Sequence, residues 1–149
     1  MATDGTPLTH TDVIVETLEA PLARVWAILS DHGSIGSYVA GVKVLRVEGE
    51  GVGAIRFIAN PAGEVCERLE TLDAGTHSFS YRVLDHSPIE MKDYVGSVQL
   101  KALGADACEI QWSGRFATGS VANPAAQKAG LGQFYRGAIA GLRALLAKG

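Results

Sequence analysis

Three features of the sequence predict an α+β fold in which a curved, seven-stranded antiparallel sheet wraps around a long C-terminal helix. Between residues 42 and 117 apolar residues recur with a period near two, and the runs are separated by short Gly, Pro and Asn turns. From Asn123 onward the period becomes helical. The 149 residues suit one domain, large enough to bury a core without metal or disulfide staples.

The elements follow in order. Residues 1–10 are polar and carry Asp4, Gly5 and Pro7, so they read as a flexible N-terminal tail, with a single domain over 11–149. Thr11–Glu19 is rich in Val, Ile and Thr and reads as the first strand. Pro21 suits the opening of a helix, where Leu22, Val25, Trp26 and Leu29 share one face. Asp31-His32-Gly33 ends it, and a second short helix or turn is expected over 34–39. Six strands are then expected, around 42–47, 55–57, 64–73, 77–84, 91–103 and 108–117. Asn60-Pro61-Ala62-Gly63 and Ala74-Gly75 mark two of the turns. Asn123 is a good N-cap and Pro124 a good first residue for a helix of about 24 residues, roughly 36 Å long. Its apolar stripe (Leu131, Phe134, Tyr135, Ala138, Leu142, Leu145) is too long for any partner but the sheet.

Several function classes find no support. The net charge is −3 and the 13 basic residues are scattered, which argues against a nucleic-acid partner. No apolar run approaches the roughly 20 residues of a membrane span, and no basic start with an apolar core marks a signal peptide, so a cytoplasmic location is expected. His10, His32, His77, His86, Cys66 and Cys108 form no ligand motif, so no metal is expected. The run Gly49–Gly53 lacks the Lys-Ser/Thr of a phosphate loop, and Ser113 lacks a GxSxG setting. No cofactor is expected. Monomer and homodimer both remain open.

The chain resembles a known superfamily at several segments. These are Pro21–Trp26 through Leu29-Ser30-Asp31, Gly51-Val52-Gly53 with Arg56, Cys66-Glu67-Arg68-Leu69 through Asp73, and Tyr81-Arg82-Val83. Asp93-Tyr94, Trp112-Ser113-Gly114 with Phe116, and Phe134-Tyr135 through Leu142 continue the likeness. In their order and spacing they resemble the helix-grip fold of the START and Bet v 1-like (SRPBCC) superfamily, in its polyketide cyclase/dehydrase-type branch. That resemblance implies an internal pocket. It leaves activity open, since the superfamily includes lipid carriers, hormone receptors, aromatic-ring cyclases and chaperone activators.

Alternation along the strands indicates which side chains face the helix. Ile110, Trp112 and Phe116 should point inward on the last strand, Tyr94, Val98 and Leu100 on the one before, and Phe79, Tyr81 and Val83 before that. On 64–73, Val65 and Leu69 point inward, and Glu67 shares their face. A desolvated carboxylate there would have a raised pKa unless a cation or donor compensates. Arg56, Arg82, Tyr81 and Tyr94 are the possible compensators. Glu67 is thus the candidate acid/base residue as well as a candidate ligand contact, against the plainer reading of a satisfied core carboxylate. Phe57, Leu69, Phe79, Tyr81, Tyr94, Val98, Trp112 and Phe116, with Leu131, Phe134 and Tyr135 of the helix, complete the expected ligand lining. His86 and Asp93 read as solvated loop residues. The strands carrying Cys66 and Cys108 should be separated by two others, roughly 14 Å in all, too far for a disulfide. The leading expectation is a binder or carrier of a small hydrophobic, ring-containing molecule. The alternative is a cofactor-independent cyclase or dehydratase on a polyketide-like substrate.

Overall fold

A computed structural model describes residues 5–84 and 90–148. The elements run β1 (Leu8–His10), β2 (Ile14–Leu18), α1 (Leu22–Leu29), a 3-10 turn (Ile35–Ser37), β3 (Lys43–Glu48), β4 (Ile55–Asn60), β5 (Gly63–Asp73), β6 (Ser78–Val83), β7 (Val95–Ala102), β8 (Cys108–Ala117), a 3-10 turn (Thr118–Ser120) and α2 (Pro124–Ala147). The strands make one antiparallel sheet in the order β1-β8-β7-β6-β5-β4-β3, with β2 also on β8.

Two expectations change. Among the described residues the sheet has eight strands, because Leu8–His10, placed in the tail, pairs with Ala117–Arg115 of β8. β2 pairs with the other end of the same strand, from Trp112 to Cys108. Three paired residues leave no periodicity for a sequence to show. The expected pair of short helices is one α-helix followed by a three-residue 3-10 turn.

The long helix matches its expectation. The Asn123 side chain accepts the Ala126 N–H at 3.1 Å, and Pro124 needs no partner for a missing N–H. α2 packs most closely on β1, β2, β8 and the first 3-10 turn. It therefore closes one half of the saddle more tightly than the other. Cys66 and Cys108 are not joined in a disulfide, and they lie on strands separated by β6 and β7. Among the described residues no helix is long and apolar enough to cross a membrane.

Candidate functional site

The half of the interior where α2 meets β1, β2 and β8 is packed solid. Trp112 stacks on Tyr135, with ring centroids 5.4 Å apart and planes 16° apart, and meets the edge of Phe134 at 6.4 Å. Leu69, Val98 and Phe116 are buried in the same core, and Phe79 lies between Trp26 and Tyr81. These inward residues are as expected, but they pack on one another.

The other half holds a half-open cavity of about 270 Å³. Ile58, Val65 and Val83 form its floor, and Ile35, Val42 and Met91 enter from connecting segments. Gln127, Gly130, Leu131 and Phe134 of α2 form its roof. Its polar groups are Asn60, Glu67, Tyr81 and Tyr94. Of the expected lining, the structure brings together Glu67, Tyr81, Tyr94, Leu131 and Phe134. Phe134 stands at the rim, 39% exposed. A groove of about 380 Å³ continues outside it, sharing Val42, Asn60 and Phe134.

Phe57 is not part of the lining. Arg56 and Ile58 occupy the inner face of β4, and alternation turns Phe57 outward beneath the Arg46 guanidinium, 3.7 Å from its ring centroid. The rule that apolar residues face inward fails here because an ion pair claims the interior. Arg56 Nε and Nη2 donate to Glu67 Oε1 at 2.8 and 2.6 Å, and Nη1 donates to the His32 carbonyl at 3.2 Å. Arg56 is also 5.1 Å from the Tyr81 ring centroid. Arg82, the other proposed compensator, serves Glu70 and Asp93 on the outer face, at 2.9 and 3.5 Å. The signal for the pair was present in the sequence. Counting outward from the Asn60–Gly63 turn of an antiparallel hairpin puts Arg56 opposite Glu67, the register observed. Burial pulls the Arg56 pKa down, but Glu67, Tyr38 and Tyr81 push it up by more, and the net is above the ordinary value.

The phenols form a second network. Trp112 Nε1 donates to Tyr81 Oη at 3.1 Å, Tyr81 and Tyr94 hydroxyls are 3.4 Å apart, and Tyr94 and Tyr135 hydroxyls are 2.6 Å apart. Glycines make room for them. A Cβ on Gly96 would overlap the Tyr81 phenol, and one on Gly114 would overlap the Tyr135 hydroxyl. Burial first, then the Tyr135 charge for Tyr81 and the Tyr81 charge for Tyr94, holds both phenols well above the usual tyrosine pKa. They act as neutral hydrogen-bonding groups.

His32 was not singled out as a site residue, yet it braces the ion pair. Its Nε2 donates to the Glu67 carbonyl at 2.9 Å, which puts the proton of the neutral ring on Nε2. Burial and then Arg56 lower its pKa below 6.5, outweighing Glu67 and Asp31. The unfolded chain therefore takes up this proton first as pH falls. Stability from this group is complete above about pH 6.5 and is lost towards the lower folded pKa. Wild type is expected to lose more thermal stability between pH 8 and 5 than His32→Gln. Parallel melting curves against pH would contradict this. Asp93 lies near Arg82, and His86 lies outside the described residues.

Residues 10–147 match the family described as polyketide cyclase / dehydrase and lipid transport. Among curated proteins, the abscisic acid receptor PYL6 of Arabidopsis thaliana is 35% identical over 89 residues, covering 54% of this chain. The match spans 41% of that receptor's length. Among solved structures, an uncharacterised protein of Bacillus thuringiensis superposes with a TM-score of 0.76 at 21% identity, over 93% of this chain and 99% of that one. XoxI of Bacillus cereus gives 0.77 at 20%, over 93% and 96%. At such identities these structures establish the fold alone.

Proposed function

The chain belongs to the polyketide cyclase / dehydrase and lipid transport family, and from that premise we propose that it binds and carries a small, ring-containing hydrophobic molecule in the cavity under α2. The observation that carries this reading is the cavity, with apolar walls and a few converging polar groups, Glu67, Tyr81 and Tyr94. Its volume of about 270 Å³ lies just below the roughly 300–1,000 Å³ range of ligand pockets. That favours one or two rings over a long acyl chain. A relative named as a receptor for a small molecule supports the same direction.

The competing reading, acid/base catalysis by Glu67, draws support from the cyclase and dehydrase part of the family description. The geometry weighs against it. Protonating Glu67 would strand the buried Arg56 charge, and breaking such a pair costs about 3–5 kcal/mol.

Leu131→Trp tests the cavity. It sets an indole into the roof at a position that is 9% exposed. Two-ring aromatic probes in an NMR titration are expected to bind wild type and to lose at least tenfold in affinity for the variant, with the circular dichroism spectrum retained. Unchanged affinity would place binding elsewhere.

A further inference from the structure

Arg56, the cation paired with Glu67 of the cavity wall, is fully engaged. Three nitrogens of Arg56 are committed to Glu67 and to the His32 carbonyl, and the residue is only 3% exposed. Glu67, in contrast, forms part of the cavity wall. An entering carboxylate would meet the carboxylate of the pair before its guanidinium. Like charges in a partly desolvated space repel.

The phenol network has a direction. An indole N–H only donates, so the Tyr81 oxygen accepts from Trp112. Tyr94 and Tyr135 share one hydrogen bond across 2.6 Å, and whichever of the two donates, an oxygen lone pair on Tyr94 is left over. The Tyr81 O–H is left as well, because its oxygen already accepts from Trp112. At 3.4 Å they are too far apart for a good O–H···O bond, so neither is well satisfied by the other. Both residues line the cavity.

A weakly engaged donor beside a weakly engaged acceptor matches one chemical group, a neutral hydroxyl that accepts from Tyr81 and donates to Tyr94. Resting on the binding reading above, we infer that the ligand is an uncharged hydroxylated ring, a phenol or an alcohol, and that the cavity rejects carboxylates. Tyr81 and Tyr94 read the hydroxyl, and the Glu67–Arg56 pair excludes the acid.

Three probes with one skeleton test this at pH 7: 2-naphthol, 2-naphthoate and 2-methylnaphthalene, titrated by NMR while following the Trp112 indole proton. Expected is at least tenfold tighter binding of 2-naphthol than of 2-naphthoate, with a shift of the Trp112 signal. Tyr81→Phe and, separately, Tyr94→Phe should bring 2-naphthol to within about twofold of 2-methylnaphthalene, while the latter still binds. Equal or tighter binding of the naphthoate overturns the inference, as does a hydroxyl preference that survives in both variants. In either case 2-methylnaphthalene binding leaves the carrier reading standing. If none of the three binds the folded protein, that reading fails and the inference with it.

Discussion

Replacing Arg56 with methionine is expected to lower the unfolding free energy by about 3–5 kcal/mol, a large part of the 5–15 kcal/mol typical of a domain. Methionine is long and flexible, so it fills the space without a large void. The loss comes from what is left behind. Glu67 Oε1 loses two short donors, at 2.6 and 2.8 Å, while its side chain stays only 11% exposed. The His32 carbonyl loses its donor as well. Glu67→Met should cost a similar amount, by stranding the guanidinium. The double variant Arg56→Met/Glu67→Met is the informative one. Apolar replacement of a whole buried pair is often neutral or stabilising, so the double variant should recover most of either single loss. Denaturant unfolding of the four proteins gives the coupling directly. Losses that simply add would show that the two side chains act independently, and the pair would no longer explain why Phe57 faces outward. The double variant also reports on ligand choice, since a cavity wall without a carboxylate should lose its discrimination against acids.

The same pair shows what a sequence displays and what it hides. Strand alternation is a local signal, and it placed Trp112, Phe116, Tyr94, Tyr81 and Phe79 correctly, because each lies on a strand with an unambiguous apolar face or, for Tyr94, immediately before one. On β4 the apolar face competes with a charge that has a buried partner, and Ile55 and Phe57 lose to Arg56. Pairing between strands decides that contest. The register could be counted from the Asn60–Gly63 turn, but the burial that makes it matter could not. The cavity was less legible still. Ile35, Val42 and Met91 reach it from segments outside the regular strands, where no periodicity exists to be read. Nor could the sequence divide the aromatic residues into packing and lining groups. Trp112 and Tyr135 are as inward as Tyr81 and Tyr94, and only the tilt of α2 towards β1, β2 and β8 assigns the first two to packing and leaves the others facing space. That tilt depends on how closely the helix approaches its neighbours.

Two glycines on α2 measure that approach, and alanine at each is expected to act in opposite directions. Gly141 sits against the backbone that follows the first 3-10 turn, and a Cβ there would overlap the Tyr38 carbonyl oxygen. The obstacle is backbone, which cannot rotate away as a side-chain tip can. Either the helix lifts or the segment from Ile35 to Val39 shifts, and Ile35 is part of the cavity wall. Gly141→Ala should therefore destabilise by about 1–3 kcal/mol, even though alanine is the better helix former by about 1 kcal/mol. Gly137, one turn earlier and exposed, has nothing within 4 Å of the added Cβ. Gly137→Ala should keep the propensity gain and stabilise by up to about 1 kcal/mol. In a domain of this size each kcal/mol moves the melting temperature by about 2–4 °C, so the two variants should melt on opposite sides of wild type. If Gly141→Ala melts at or above wild type, α2 is not held against Tyr38 as described. The close approach at that end, which sets the opening over the cavity at the other, would then have to be abandoned.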